Sequence, residues 1–218
     1  MKTLKNIAVV MAVGAGLLAG QPVRAGITAL TGISGVYSSG TVSPSQVIPD
    51  NNPGGVSYGF SIADTGLQVS QVTVLINMSG GYNGDMYAYL AHGSTLVELL
   101  NSTVYSTGGA GGNTINVTMS SAGSAIPVGG LSAAQLSAGS TYGAPGDLGN
   151  FNYADPNGLW TLFFSDTSPG DTMTLNTFDL SITAVPEPVN TALALFGGIL
   201  CVCLILKRRN PTMSALLN

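Results

Sequence analysis

The amino-acid sequence predicts an all-β fold, a jelly-roll-like β-sandwich, flanked by an N-terminal signal peptide and a C-terminal single transmembrane helix. Three observations carry this. The middle of the chain alternates apolar and polar residues in several short runs, as strands with one buried face do. Clusters of Gly, Asn, Asp, Ser and Pro separate those runs and mark turns. The apolar residues that do not alternate are gathered into one continuous stretch at each end.

Residues 1–25 have the three regions of a secretory signal. Lys2 and Lys5 give a positive start, Ile7 to Leu18 is apolar apart from small glycines, and Val23-Arg24-Ala25 places small residues at −3 and −1 of a cut after Ala25. Gln21 stands where a lipoprotein signal needs its cysteine, so lipidation is excluded. Residues 26–46 read as a linker or first strand, and 47–184 as the sandwich. In that domain Val56, Tyr58, Phe60 and Ile62 alternate with Ser57, Gly59 and Ser61. Val72, Val74, Ile76 and Met78 form a second such row, and Phe178, Leu180, Ile182 and Ala184 a third. Only Ser132 to Leu136 reads as helical. The stretch 102–142 is mainly Gly, Ser, Thr and Ala, which leaves little apolar surface to offset the entropy of ordering it.

Charge narrows the partners. Only 7% of the 218 residues are charged, against about 25% in an average soluble domain. All six Lys and Arg lie outside 26–184: Lys2, Lys5 and Arg24 before it, Lys207, Arg208 and Arg209 after it. Nucleic-acid binding draws its affinity from cations that neutralise phosphates, so that class is excluded. Divalent cations, neutral glycans and protein surfaces fit an acidic domain better. The two cysteines, Cys201 and Cys203, lie in the C-terminal apolar run, so the exported domain has no disulfide and no thiolate site.

At the C-terminal end, Val189 to Leu206 is apolar except for Asn190 and Thr191, and Lys207-Arg208-Arg209 follows at once. A helix over 189–206 reaches about 27 Å, close to the ~30 Å hydrocarbon core. Basic residues beyond it hold that side in the cytoplasm, leaving 210–218 as a cytoplasmic tail. Val185-Pro186-Glu187-Pro188 directly before such a span and a basic stop resembles the PEP-CTERM sorting signal of Gram-negative, exopolysaccharide-producing bacteria. The resemblance implies processing within 185–209 by an exosortase, a membrane cysteine transpeptidase, after signal peptidase has acted at the other end. Its site residues are then Val185, Pro186, Glu187, Pro188, Lys207, Arg208 and Arg209. It also implies a membrane-anchored precursor that ends at the cell surface or in the exopolysaccharide matrix. Two prolines block helix and remove two backbone donors, so the motif is expected to be extended and accessible.

The run Asn83-Gly84-Asp85-Met86-Tyr87-Ala88-Tyr89-Leu90, then Leu99-Leu100-Asn101, then Gly158-Leu159-Trp160-Thr161-Leu162 ending at Asp166 and a Gly170-Asp171 turn, resembles the P domain, or P/Homo B domain. That β-sandwich follows the catalytic domain of subtilisin-like proprotein convertases. The resemblance covers roughly 47–184, and in that family the domain stabilises the neighbouring protease without being catalytic. The family's histidine before its Gly-Asp-Leu turn is missing here, with Ser79 and Gly80 nearby instead.

The expected protein is therefore not an enzyme. His92 is the only histidine, and no Gly-x-Ser-x-Gly elbow accompanies it, so a turn role is expected rather than a triad. Most acids stand in turns, where Asp caps local amides. No cofactor is required, but Ca2+ suits hard oxygen ligands on loops, with Asp166 and Asp171 as first candidates and Asp85 and Asp155 beside them. Trp160 alternates with Leu162 and Phe164 as core. Tyr87 and Tyr89 are the candidates for exposed, ligand-stacking aromatics. Three function classes stay open: a structural or interaction module of the exopolysaccharide envelope, a calcium- or carbohydrate-binding adhesin, and a protease-associated accessory domain.

Overall fold

A computed structural model of the chain describes residues 28–29, 35–64 and 66–209, with side chains throughout except at 28, 29, 190, 191, 207 and 209. The expected signal peptide (1–25), its cleavage site at Ala25 and the tail (210–218) lie outside the described residues, as do the side chains of Lys207 and Arg209.

Strands dominate: β1 (Thr28–Ala29), β2 (Val36–Ser38), β3 (Gln46–Val47), β4 (Asn52–Ile62), β5 (Leu67–Ser79), β6 (Met86–His92), β7 (Thr95–Leu100), β8 (Thr114–Ser124), β9 (Thr141–Tyr142), β10 (Gly158–Asp166) and β11 (Thr174–Pro186). One sheet runs β1-β4-β10-β6-β7, and the other β2-β11-β5-β8-β9 with β3 also on β11. The expected rows behave as half-buried strands do. Val56, Tyr58, Phe60 and Ile62 of β4 face Phe178, Leu180 and Ile182 of β11 across one core, with the Tyr58 and Phe178 rings 4.7 Å apart. Trp160, Leu162 and Phe164 of β10 are fully buried in the same core, as their alternation predicts. A β-sandwich is thus what the sequence pattern builds.

Two segments that the sequence left open take definite structure. The segment read as a linker or first strand supplies β1, β2 and β3, and Tyr37 of β2 is core. The low-complexity stretch is ordered: β8 buries Ile115, Val117 and Met119, and Leu131 and Leu136 are buried beside it. Few apolar residues suffice because they fall at period two on a strand that pairs with β5 over Thr73 to Ser79. Two short helices complete this region, α1 (Thr107–Ala110) and α2 (Ala133–Ser137). The second is the helix expected near 132–136. Ser132 opens it with a capping box to Gln135, which satisfies two orphan amides.

α3 (Pro188–Arg209) follows β11 directly. Its described apolar side chains are exposed: Leu193, Phe196, Leu200 and Leu204 along one side, Leu195, Ile199, Val202 and Leu206 along another. None belongs to the sandwich core. Among the described residues, no helix is long and apolar enough to cross a membrane. The transmembrane helix expected over 189–206 is therefore not borne out, and α3 is instead a helix whose large apolar side chains are exposed.

Candidate functional site

β10 runs from one end of the sandwich to the other, and each end gathers chemistry-bearing residues. At its start, Trp160 pairs with His92 of β6. The two rings stack 4.0 Å apart and nearly parallel, at 4°. Nδ1 and Nε2 of His92 lie 3.1 Å and 2.8 Å from the carbonyl oxygens of Leu159 and Asp155. Neutral imidazole carries one N–H, so the ring donates to one of these carbonyls and lies against the other, with no hydroxyl among those partners. Trp160 Nε1 donates to the Pro156 carbonyl at 2.9 Å, so this buried indole is satisfied. Asp155 Oδ1 accepts from the Asn157 amide at 2.9 Å, an ordinary Asx turn.

The other end is chemically different. In the core-facing row of β10, Asp166 continues Trp160, Leu162 and Phe164, where the pattern would place a fourth apolar side chain. Asp166 lies opposite Asn52 of β4 and Met86 of β6. Its neighbour β4 is irregular there, with a register shift between Phe164 and Asp166 that accommodates Pro53, Gly54 and Gly55. Gly55 has φ +44°, and a Cβ on it would meet the Phe164 carbonyl oxygen at 2.0 Å. Bulges of this kind bend a strand and re-aim side chains at a rim.

The loop after β10 closes over this end. Thr167 donates through its amide to the Asp85 carbonyl at 3.0 Å, and the Gly170 amide donates to both carboxylate oxygens of Asp50 at 3.2 Å. Asp85 ends a single 3-10 turn, Asn83–Asp85, ahead of β6. Beneath the loop, Asp166 is 1% exposed. Its Oδ1 accepts from the Ser168 amide at 3.1 Å, while the buried Oδ2 has no hydrogen-bond partner. Burial pushes the Asp166 carboxyl above the usual carboxylate range. Asp85 and Asp50 push it further, and the amides of Ser168 and Asn51 pull it back.

The four calcium candidates therefore do not converge. Asp155 lies on the loop before β10 and Asp166 ends that strand, whose nine residues span roughly 26 Å at about 3.3 Å per residue. Asp171 is exposed on the closing loop and is not among the charges acting on Asp166. Asp85 and Asp166 do come together, and Asp50 joins them. Nothing in the sequence marks that convergence, because Asp50 and Asp166 meet only through the pairing of β4 with β10. Among the described residues, no group of three or more His, Cys, Asp or Glu side chains is already arranged to hold a metal ion.

Of the two aromatic candidates, Tyr89 is less exposed than expected. Tyr89 is 8% exposed and stacks on Phe163, ring centroids 5.8 Å apart, on the outer face of its sheet. Tyr87 is half-buried. Cross-strand pairing with Phe163 covers Tyr89, so the two do not form an open stacking platform. Where a sorting motif was expected, Val185 and Pro186 extend β11 opposite Gln68 and Leu67, and all four residues from Val185 to Pro188 are exposed. Pro188, however, opens α3 instead of blocking helix, because the first helical position needs no amide donor.

No family model matches the chain, and no curated protein matches it. Among solved structures, the chain resembles the crystal structure of an Aeromonas sobria serine protease in complex with its chaperone. The identity is 16% and the TM-score 0.40, over 81% of this chain and 29% of that one. The present chain thus spans less than a third of that neighbour's length, and the two are alike distantly, in shape alone.

Proposed function

We propose that this chain is a non-catalytic, exported envelope protein. Its β-sandwich is presented outside the cell and is attached through its C-terminal helix to the membrane. An exosortase-type transpeptidase then acts at Pro186-Glu187-Pro188 and passes it to the surface or the exopolysaccharide matrix. The observation that carries this reading is α3. It follows an exposed Pro-Glu-Pro, turns apolar side chains outward on more than one side and packs into no part of the sandwich core. A helix apolar all round is stable where lipid or another protein covers it, and the basic residues at its end favour the cytoplasmic face of a bilayer. Within the sandwich, the only histidine is held between backbone carbonyls, which supports a structural or interaction role over a hydrolytic one.

Fractionation in the native host tests this. The full chain is expected in membranes, resistant to alkaline extraction, until it is processed. A chain ending at Pro186 is expected in the soluble exported fraction. Glu187→Ala is expected to accumulate as unprocessed membrane precursor. Recovery of the full chain as a soluble cytoplasmic protein, or unchanged processing of Glu187→Ala, would sink the reading.

A further inference from the structure

We propose that the end of the sandwich formed by Asp50, Asp85 and Asp166 binds a divalent cation of the Ca2+ type, with the buried Asp166 carboxylate as its central ligand. The inference starts from a side chain in the wrong place. Asp166 occupies a core-facing position at the end of the row Trp160, Leu162 and Phe164, and is 1% exposed. A carboxylate so placed normally meets an Arg, a Lys or a full set of amide donors. The Ser168 amide donates to Oδ1 and the Asn51 amide lies near the group, but the buried Oδ2 has no hydrogen-bond partner. No basic side chain can complete the set, because the domain over 26–184 contains no Lys or Arg.

The neighbours make the case stronger. Asp85 and Asp50 are close enough for their charges to act on Asp166. They reach it from the turn before β6 and the turn before β4. The loop over them is tied on one side to the Asp85 carbonyl and on the other to the Asp50 carboxylate. Three carboxylates from three separate segments, with backbone carbonyls beside them, supply hard oxygen donors of mixed kind. Ca2+ accepts such irregular sets of six to eight oxygens, whereas Mg2+ demands a near-ideal octahedron. The side chains are not a preformed cage. Like charges repel, so a cation is what would draw these carboxylates together; Asp50 stands on an exposed turn.

This inference is independent of membrane attachment, since the site lies wholly in the sandwich. The test uses the full chain in detergent, stripped with chelator and titrated with Ca2+ by calorimetry and thermal melting. Wild type is expected to bind one Ca2+ per chain, and its Tm to rise by about 5–10 °C at a hundredfold excess over Kd. Asp166→Asn is expected to lose that binding and, in chelator, to melt at or above wild type, because the substitution removes a buried charge. Asp85→Asn, whose side chain is only half-buried, is expected to weaken binding at least tenfold without unfolding the domain. Asp155→Asn, at the opposite end, is expected to bind as wild type does. No heat and no Tm shift in wild type at millimolar Ca2+ would overturn the proposal, as would wild-type binding by both Asp166→Asn and Asp85→Asn.

Discussion

Tyr89 shows how a neighbour on the next strand changes the character of a side chain. Cross-strand stacking on Phe163 buries most of its ring. Burial, with smaller contributions from Glu98 and Tyr87, pushes its hydroxyl up to about 12. In the unfolded chain a tyrosine titrates near 10, so between these values the native state holds the proton more tightly. The stability linked to Tyr89 is therefore complete below about pH 10 and drains away as pH rises toward about 12. Denaturation midpoints followed across that window should fall with pH, and Tyr89→Phe should flatten the fall. An unchanged slope in the variant would place the alkaline sensitivity elsewhere. In the sequence, Tyr89 looked like an exposed residue because it alternates with Ala88 and Leu90, which fill the core. Alternation tells which face a residue occupies, and only the strand alongside tells whether that face is covered.

At the scale of elements, β10 and its irregular partner β4 decide the acidic end. The bulge at Pro53, Gly54 and Gly55 lets β4 pass Phe163 and Phe164 at close range. Gly55 is obligatory there, since a Cβ would sit 2.0 Å from the Phe164 carbonyl oxygen and 2.8 Å from Phe163 Cζ, at a φ that disfavours any side chain. Gly55→Ala is expected to destabilise the domain by at least about 2 kcal/mol, measured by denaturant unfolding. A neutral result would mean that the bulge can slide. Elements were legible where local chemistry sufficed. Ser132 and Gln135 carry the capping box of α2 in their own spacing, and the three alternating rows became β4, β5 and β11. α1 was not legible, because Thr107-Gly108-Gly109-Ala110 is a poor helix by propensity. Ser106 caps it and Gly109 packs against the Leu131 carbonyl, contacts that tertiary structure supplies.

For the whole molecule, the sandwich and the C-terminal helix are energetically separate. The core joins both sheets through side chains from β2 to β11, and no described α3 residue enters it. A chain ending at Pro186 should therefore keep its thermal midpoint within about 2 °C of the full chain, measured in detergent for the full chain and in buffer for the shorter one. A large loss would mean that α3 holds part of the sandwich. β11 continues to Pro186 and α3 opens at Pro188.

The sequence by itself determined the class of fold, the core rows, the absence of basic residues from the domain and the apolar character of the C-terminal helix. Each depends on the order and kind of residues along the chain: period two buries one face of a strand, and charge is counted without knowing where it folds. The tertiary structure alone decided which acids meet, that Tyr89 is covered and that the low-complexity stretch is ordered. Those are relations between segments distant in sequence. Asp50 and Asp166 are brought together because β4 and β10 pair antiparallel, so that the start of one strand lies beside the end of the other. No local pattern encodes that proximity.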